Sequence, residues 1–334
     1  MKAYVLHQVN DLRYETLDIP MCPEDWALVK VKATGICSSD IPRIYTKGTY
    51  HFPTTPGHEF AGIIENVGSN INKALIGKHV GVFPLIPCKE CDQCKGKHYE
   101  MCAHYDYIGS RRDGAFAEYV AVPIWNLIPL DNSIPFTSAA MLEPISVALH
   151  AIKIGSLNEG SRVGIIGTGM IGIAAGLWAK KMNAGEVTII GRSENKRKLV
   201  EQCELKYSIG GEFEFDFVLE AVGTPSSISS AISMTRPGGS LTLMGNPSSD
   251  IQLKQDVYWK ILRKQLHICG TWNSFYDGAL PSDWTESVAA LTNGELNVQP
   301  LISHCFKQED LKDGLLLMKE KKEPYCKIMT IWNE

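Results

Sequence analysis

Residues Arg162-Val-Gly-Ile-Ile166-Gly167-Thr168-Gly169-Met170-Ile171-Gly172 decide how the chain folds. The apolar run from Val163 to Ile166 reads as a buried strand, and the apolar stretch that follows Gly169 reads as a buried helix. Between them the glycines recur as G-x-G-x-x-G. The first permits a tight turn, the second lets backbone approach a pyrophosphate, and the third packs helix on strand. The helix start then offers unpaired N–H groups to phosphate. Strand, turn and helix together predict a dinucleotide site made by Gly167, Thr168, Gly169, Met170, Ile171 and Gly172. A purely structural turn is the competing reading.

Outward from that turn, strands and helices alternate. The predicted order is a helix over 137–154, a strand at Arg162–Ile166, a helix over 170–182, a strand over 187–190 and a helix over 194–203. It continues with a strand at Phe215–Glu220, a helix at Pro225–Met234, a strand over 240–244, a helix over 256–263 and a strand over 266–269. Such alternation implies a doubly wound parallel sheet covered by helices, an α/β Rossmann arrangement. One step is awkward. If 206–209 and 215–219 are both parallel strands, five residues join them, where a crossover needs about a dozen. Either that crossover has lost its helix or the first segment is not a strand.

The end of the second predicted strand bears on the dinucleotide. An NAD site wants Asp or Glu there to hold the ribose 2′-hydroxyl. Here the strand ends in Gly191-Arg192-Ser193, with no carboxylate. Removing the acid removes repulsion toward a 2′-phosphate, and Arg192 can pair with one, so NADP is favoured over NAD. The alternative is a surface arginine on a loop where Ser193 caps a helix.

The chain has 334 residues, 44% hydrophobic and 21% charged, enough for about two domains. Its net charge of −4 is spread without long blocks, which argues against a nucleic-acid partner. The N-terminus reaches Asn10 and Asp11 before any long apolar run, so no signal peptide is predicted. The uncharged run 163–179 contains five glycines and is read as strand into helix rather than a membrane span. A cytoplasmic protein is expected, in which free thiols and metal thiolates outnumber disulfides.

Ten cysteines are the unusual count. Cys88, Cys91, Cys94 and Cys102 form C-x2-C-x2-C-x7-C in a charged loop. Four thiolates close a tetrahedral zinc site with no place for substrate, so this lobe, about 86–104, is read as structural. An iron–sulfur cluster is the rival, but its common run ends C-x3-C-P, whereas the last gap here is seven and Ala103 follows.

The first third holds short β-like runs over 27–33, 62–67, 79–83 and 117–122, broken by Gly, Pro, Asn and Asp, which predicts an antiparallel or barrel-like domain. Two of its turns, Gly35-Ile-Cys37-Ser-Ser39-Asp40 and Pro56-Gly-His58-Glu59, end strands and present side chains. With Glu143, which with Pro144 is expected to break the long helix, Cys37, His58 and Glu59 make a mixed donor set. Such a set leaves room for water or substrate, the mark of catalytic zinc. Asp40 is the expected residue orienting a ligand from behind. Taken singly, each residue reads as an ordinary buried thiol or turn.

Together, in this order, these motifs resemble the zinc-dependent medium-chain dehydrogenases, and the likeness runs from first strand to last. Glu143-Pro144-Ile-Ser-Val-Ala-Leu-His150 is similar to the polyol dehydrogenase branch, whose Glu joins the catalytic zinc shell. Segments 40–44, 107–114, 259–264 and 270–273 narrow the likeness to members acting on a polyol phosphate. The resemblance implies a GroES-like catalytic domain, 1–134 with 273–334, around a Rossmann domain, 135–272. It implies two zinc ions per chain, one catalytic and one structural, and hydride transfer between a secondary alcohol and NAD(P). Ser39 becomes the first member of a proton relay, with a local turn bond as its plainer role. Arg43, Lys47, Arg111 and Arg112 are candidates for a substrate phosphate, with an Arg112–Asp113 ion pair as the alternative. A homodimer or homotetramer is implied, through the apolar segment 265–272. The runners-up are a sorbitol-, xylitol- or threonine-type dehydrogenase and, in another class, a non-catalytic zinc-stabilised NADP-binding sensor. Three departures stand out: Gly191 in place of the acid, the short link 210–214, and Cys326 in place of glycine.

Overall fold

Contacts divide the chain into two compact units, Met1–Glu143 with Phe275–Asn293 and Leu301–Glu334, and Pro144–Ser274 with Gly294–Pro300. The computed structural model describes residues 1–333. Among these no helix is long and apolar enough to cross a membrane.

The first unit is mainly β. Its seven-stranded sheet runs Ile302–Lys307, Lys327–Ile331, Trp26–Ile36, Glu59–Val67, His79–Val82 and Leu127–Pro129, with Tyr119–Pro123 also pairing Trp26–Ile36. All pairings but one, Ile302–Lys307 with Lys327–Ile331, are antiparallel. The eleven-residue strand Trp26–Ile36 is the spine, because Val29, Val31 and Ile36 are fully buried against Phe60, Ile328 and Leu311.

The second unit is a six-stranded, all-parallel sheet in the order Lys206–Ile209, Glu186–Gly191, Arg162–Ile166, Phe215–Glu220, Thr235–Leu243, His267–Gly270. Strand order reverses beside Arg162–Ile166, which is where a doubly wound sheet opens its ligand crevice. Ile166, Ile190, Val218 and Leu241 carry the sheet into a core shared with Ala231 and Ile232 of the helix Pro225–Met234. The expected α/β arrangement and the mainly β partner are both present.

Three local outcomes differ from the sequence reading or resolve it. The helix expected over 137–154 is two helices, Phe136–Ala139 and Leu142–Ile154, and the break precedes Pro144. Proline is tolerated in a first turn, where its missing N–H has no intrahelical partner, so it starts the second helix rather than ending the first. Residues 206–209 are a strand, paired in parallel with Glu186–Gly191, and 210–214 contain no helix. The crossover to Phe215–Glu220 is therefore an extended link, helped by left-handed φ at Gly210 (62°) and Gly211 (129°). Finally, the helix expected over 194–203 starts as a 3-10 turn, Glu194–Lys196, followed by Arg197–Gln202.

Candidate functional site

In the first unit, Cys37 follows the end of the strand Trp26–Ile36, and His58-Glu59 lead into Glu59–Val67. Antiparallel pairing sets Gly35 opposite Glu59. A Cβ on Gly35 would lie 2.3 Å from the Glu59 carboxylate, so glycine is what makes room for that side chain. Donor atoms of Cys37, His58 and Glu59 lie within 4.8 Å of one another. Behind them Asp40 is fully buried. One carboxylate oxygen accepts the Cys37 N–H at 3.0 Å, and the other lies 3.6 Å from His58 Nδ1 and 3.5 Å from Arg43. Burial opposes charge on Asp40, but His58 and Arg43 hold its carboxyl below its ordinary range. Asp40 beside Nδ1 leaves Nε2 of His58 as the nitrogen available for a metal.

Glu143 is not among the three clustered donors but adjoins them. Its Oε1 accepts the Tyr107 hydroxyl at 3.2 Å, and the Tyr107 ring lies 5.7 Å from the His58 ring. Burial first, and then the charge of Glu59, push the Glu143 carboxyl up to about 7 against the pull of His58. Two members of this neighbourhood escaped the sequence reading. Tyr107 is only the first residue of segment 107–114, with no role read for it. Lys327, buried, donates from Nζ to Glu59 Oε2 and to the Ile36 carbonyl at 3.3 Å. Its one sequence signal is a lone charge opening an otherwise uncharged last strand.

Ser39 donates its hydroxyl to Cys37 Sγ at 3.2 Å and accepts from Arg43 Nη1 at 2.9 Å. The other cations lie in different settings. Arg111 is stacked between the rings of Tyr50 and Tyr105, 4.3 Å from each, and donates to the Tyr105 carbonyl at 2.9 Å. Arg112 pairs at 2.8 Å with Asp106 rather than with Asp113, whose carboxylate instead accepts the Thr55 N–H. Lys47 closes the short turn Arg43–Lys47.

The four-cysteine lobe brings its sulfurs within 4.8 Å of one another. Individual separations are 3.4 Å for Cys88–Cys102, 3.9 Å for Cys88–Cys94 and 4.0 Å for Cys91–Cys102. A disulfide needs about 2.05 Å. Four sulfurs placed tetrahedrally about 2.3 Å from one centre stand roughly 3.8 Å apart, which these distances match. All ten cysteines are free thiols.

In the second unit, Gly167 has φ 131°, a conformation that glycine adopts at no steric cost. A Cβ on Gly172 would lie 2.2 Å from the Gly167 carbonyl, whereas nothing stands within 4 Å of one on Gly169. The turn is thus closed below and open above. Gly169 caps the helix Met170–Lys181 without a side-chain bond, so the helix's first N–H groups face that opening. Gly191 ends its strand, and Arg192 and Ser193 are exposed after it. Ser193 holds the N-cap position of Glu194–Lys196, but its side chain makes no cap bond.

A family model described as the alcohol dehydrogenase GroES-like domain matches residues 23–132, and one described as zinc-binding dehydrogenase matches residues 171–293. The chain is 36% identical over 295 residues to galactitol 1-phosphate 5-dehydrogenase of Escherichia coli (strain K12), covering 84% of this chain and 85% of that protein. The crystal structure of an Escherichia coli galactitol-1-phosphate dehydrogenase superposes with a TM-score of 0.90 at 32% identity, covering 99% of this chain and 100% of that one. A Sinorhizobium meliloti 1021 protein crystallised with NADP superposes with a TM-score of 0.88 at 25% identity, covering 99% and 98%. With both domain models matched in order and the fold shared along the whole chain, this protein belongs to the zinc-dependent medium-chain alcohol and polyol dehydrogenases.

Proposed function

We propose that this enzyme oxidises a secondary alcohol of a polyol phosphate, galactitol 1-phosphate to tagatose 6-phosphate, with NADP as hydride acceptor. One observation carries the phosphate reading: the Arg43 guanidinium is joined through Ser39 to Cys37, at 2.9 and 3.2 Å. A cation so placed suits a substrate whose hydroxyl lies at the donor cluster and whose phosphate lies a few ångströms away. Neither Arg111 nor Arg112 has that position; the one is stacked between tyrosines and the other is paired with Asp106.

In this reading the first unit is catalytic and the second binds the cofactor. Cys37, His58 and Glu59, with Glu143 beside them, hold the catalytic zinc, and Cys88, Cys91, Cys94 and Cys102 hold the structural one. Bound at the first site, zinc supplies Lewis acidity toward the substrate hydroxyl. Asp40 fixes the His58 ring, and Lys327 balances the buried charge of Glu59. Ser39, half-buried, would take the hydroxyl proton as it gives its own to solvent. A nucleotide bound at the second unit would accept the carbinol hydrogen as hydride, its reduction balancing oxidation of the alcohol to the ketone. The turn from Gly167 to Gly172 would hold the pyrophosphate, and Gly191, Arg192 and Ser193 would be available to a ribose 2′-phosphate.

The test is reduction of tagatose 6-phosphate against unphosphorylated ketoses, with NADPH and NADH. Preference for the phosphorylated ketose with NADPH supports the reading. Equal or better turnover of sorbose- or xylulose-type ketoses overturns the phosphate, and a strong NADH preference overturns the cofactor.

We also infer that two copies associate along the strand His267–Gly270. It lies at an open sheet edge, with Ile268 38% and Trp272 56% exposed, and the neighbouring helix Gln255–Lys264 exposes Tyr258, Trp259 and Leu262. An open apolar edge is a template for a like strand. Light scattering should give a dimer or a multiple of it, and Ile268→Lys should give monomer.

A further inference from the structure

Resting on the NADP reading, we propose that Tyr207 is the residue that fixes cofactor choice. It fills the space that an acidic side chain at 191 would need, and it holds the turn that carries Arg192 and Ser193.

A side chain at 191 has nowhere to start. A Cβ built on Gly191 would lie 1.9 Å from the Tyr207 hydroxyl oxygen, 2.6 Å from the ring carbon bearing it, and 2.9 Å from the Thr168 methyl. Thr168 belongs to the glycine turn, so the blocked volume lies between the pyrophosphate cradle and the end of the second strand. That is where a carboxylate must project to bond the 2′- and 3′-hydroxyls of an unphosphorylated ribose.

The tyrosine is not free to make way. It is only 8% exposed, and its hydroxyl donates to the Ser193 carbonyl at 2.5 Å. Arg197 covers the ring at 4.9 Å and donates to the Tyr207 carbonyl at 3.2 Å, while Glu194 and Glu201 hold Arg197 in place. Admitting a side chain at 191 would mean breaking the bond to Ser193 and displacing a buried aromatic ring. The same bond pins the carbonyl of the residue next to Arg192, which sets the direction of the turn. One residue therefore does two things. It excludes the group that would select NAD, and it orients the groups available to a 2′-phosphate.

The experiment measures dissociation constants of NADP(H) and NAD(H) by fluorescence titration, without substrate, on the full chain, together with Tm. Tyr207→Phe keeps the ring and loses the bond to Ser193. It should weaken NADP binding roughly 3- to 10-fold with NAD unchanged. Gly191→Asp alone should lower Tm and gain nothing for NAD. Gly191→Asp with Tyr207→Ala should recover Tm relative to Gly191→Asp and bind NAD about tenfold tighter than the wild type. If Gly191→Asp does not fold, Tyr207→Phe and Tyr207→Ala carry the test. The inference is overturned if Tyr207→Phe leaves both constants unchanged, or if Gly191→Asp alone binds NAD as tightly as the double variant. A wild type that prefers NAD overturns the NADP reading instead, whatever Tyr207 does.

Discussion

Lys327 and Glu59 form an ion pair sealed from solvent, with side chains 4% and 2% exposed, at the rim of the Cys37–His58 cluster. Burial disfavours the lysine's charge, yet Glu59, with help from Cys37 and Glu143, holds its pKa above the ordinary value. Removing one partner leaves the other charged and dry, at a cost typically of about 3–5 kcal/mol. Lys327→Met is expected to destabilise by that order in urea denaturation. Pairing it with Glu59→Gln should recover a large part of the loss. Additive losses in that double-mutant cycle would show that the pair is not coupled.

The two donor clusters predict separable metals. Emission spectrometry should find two zinc ions per chain. Cys102→Ser should remove one and lower Tm. Cys37→Ser should remove the other and abolish turnover while leaving nucleotide binding intact, because Cys37 and the glycine turn belong to different compact units. Retained activity in Cys37→Ser would refute the catalytic assignment.

For the substrate phosphate, Arg43→Ala should raise KM for the phosphorylated ketose roughly 10- to 100-fold, the loss expected for a charge-assisted bond. Because Arg43 also bonds Ser39 and faces Asp40, any fall in kcat should be common to phosphorylated and unphosphorylated ketoses, whereas the rise in KM should be confined to the phosphorylated one. Arg112→Ala should leave both nearly alone, since its guanidinium is already bound to Asp106. An unchanged KM in Arg43→Ala would sink the phosphate role.

In the metal-free protein, stability should depend on pH through Glu143. Burial lifts its folded-state pKa from 4.5 to about 7, so the folded chain holds a proton that the unfolded chain releases. The resulting stability is fully present below about pH 4.5 and is lost as pH rises through about 7. Denaturant midpoints of the apo-protein should therefore fall across that window, and Glu143→Gln should flatten the fall. A wild-type slope that survives in Glu143→Gln would place the titration elsewhere.

Much of the architecture was legible because it rests on periodicity and glycine. The strands Arg162–Ile166 and Phe215–Glu220 and the helix Pro225–Met234 lie where apolar runs and turn residues put them. The cysteine lobe was legible from spacing alone. What escaped was partnership between distant residues. Nothing near Lys327 in sequence names Glu59, 268 residues away, and nothing in Arg112 announces Asp106 over the adjacent Asp113. Gly191 was visible as a missing acid, but the group that a side chain there would meet, the Tyr207 hydroxyl, comes from the next strand of a parallel sheet. Such pairings belong to register, which a single sequence does not encode locally.

The five-residue link 210–214 leaves the end of the edge strand Lys206–Ile209 and must return to the start of Phe215–Glu220, three strand positions away. Three spacings are roughly 14 Å across the sheet, before any return along it. Six peptide steps reach at most about 20 Å. The link is thus a tether with little slack, and its tolerance to change is one-sided. Residues can be inserted there, because slack in a surface connection costs little. A deletion would pull on the edge strand itself and on Tyr207, so the length of a featureless loop bears directly on the residue proposed to set nucleotide choice.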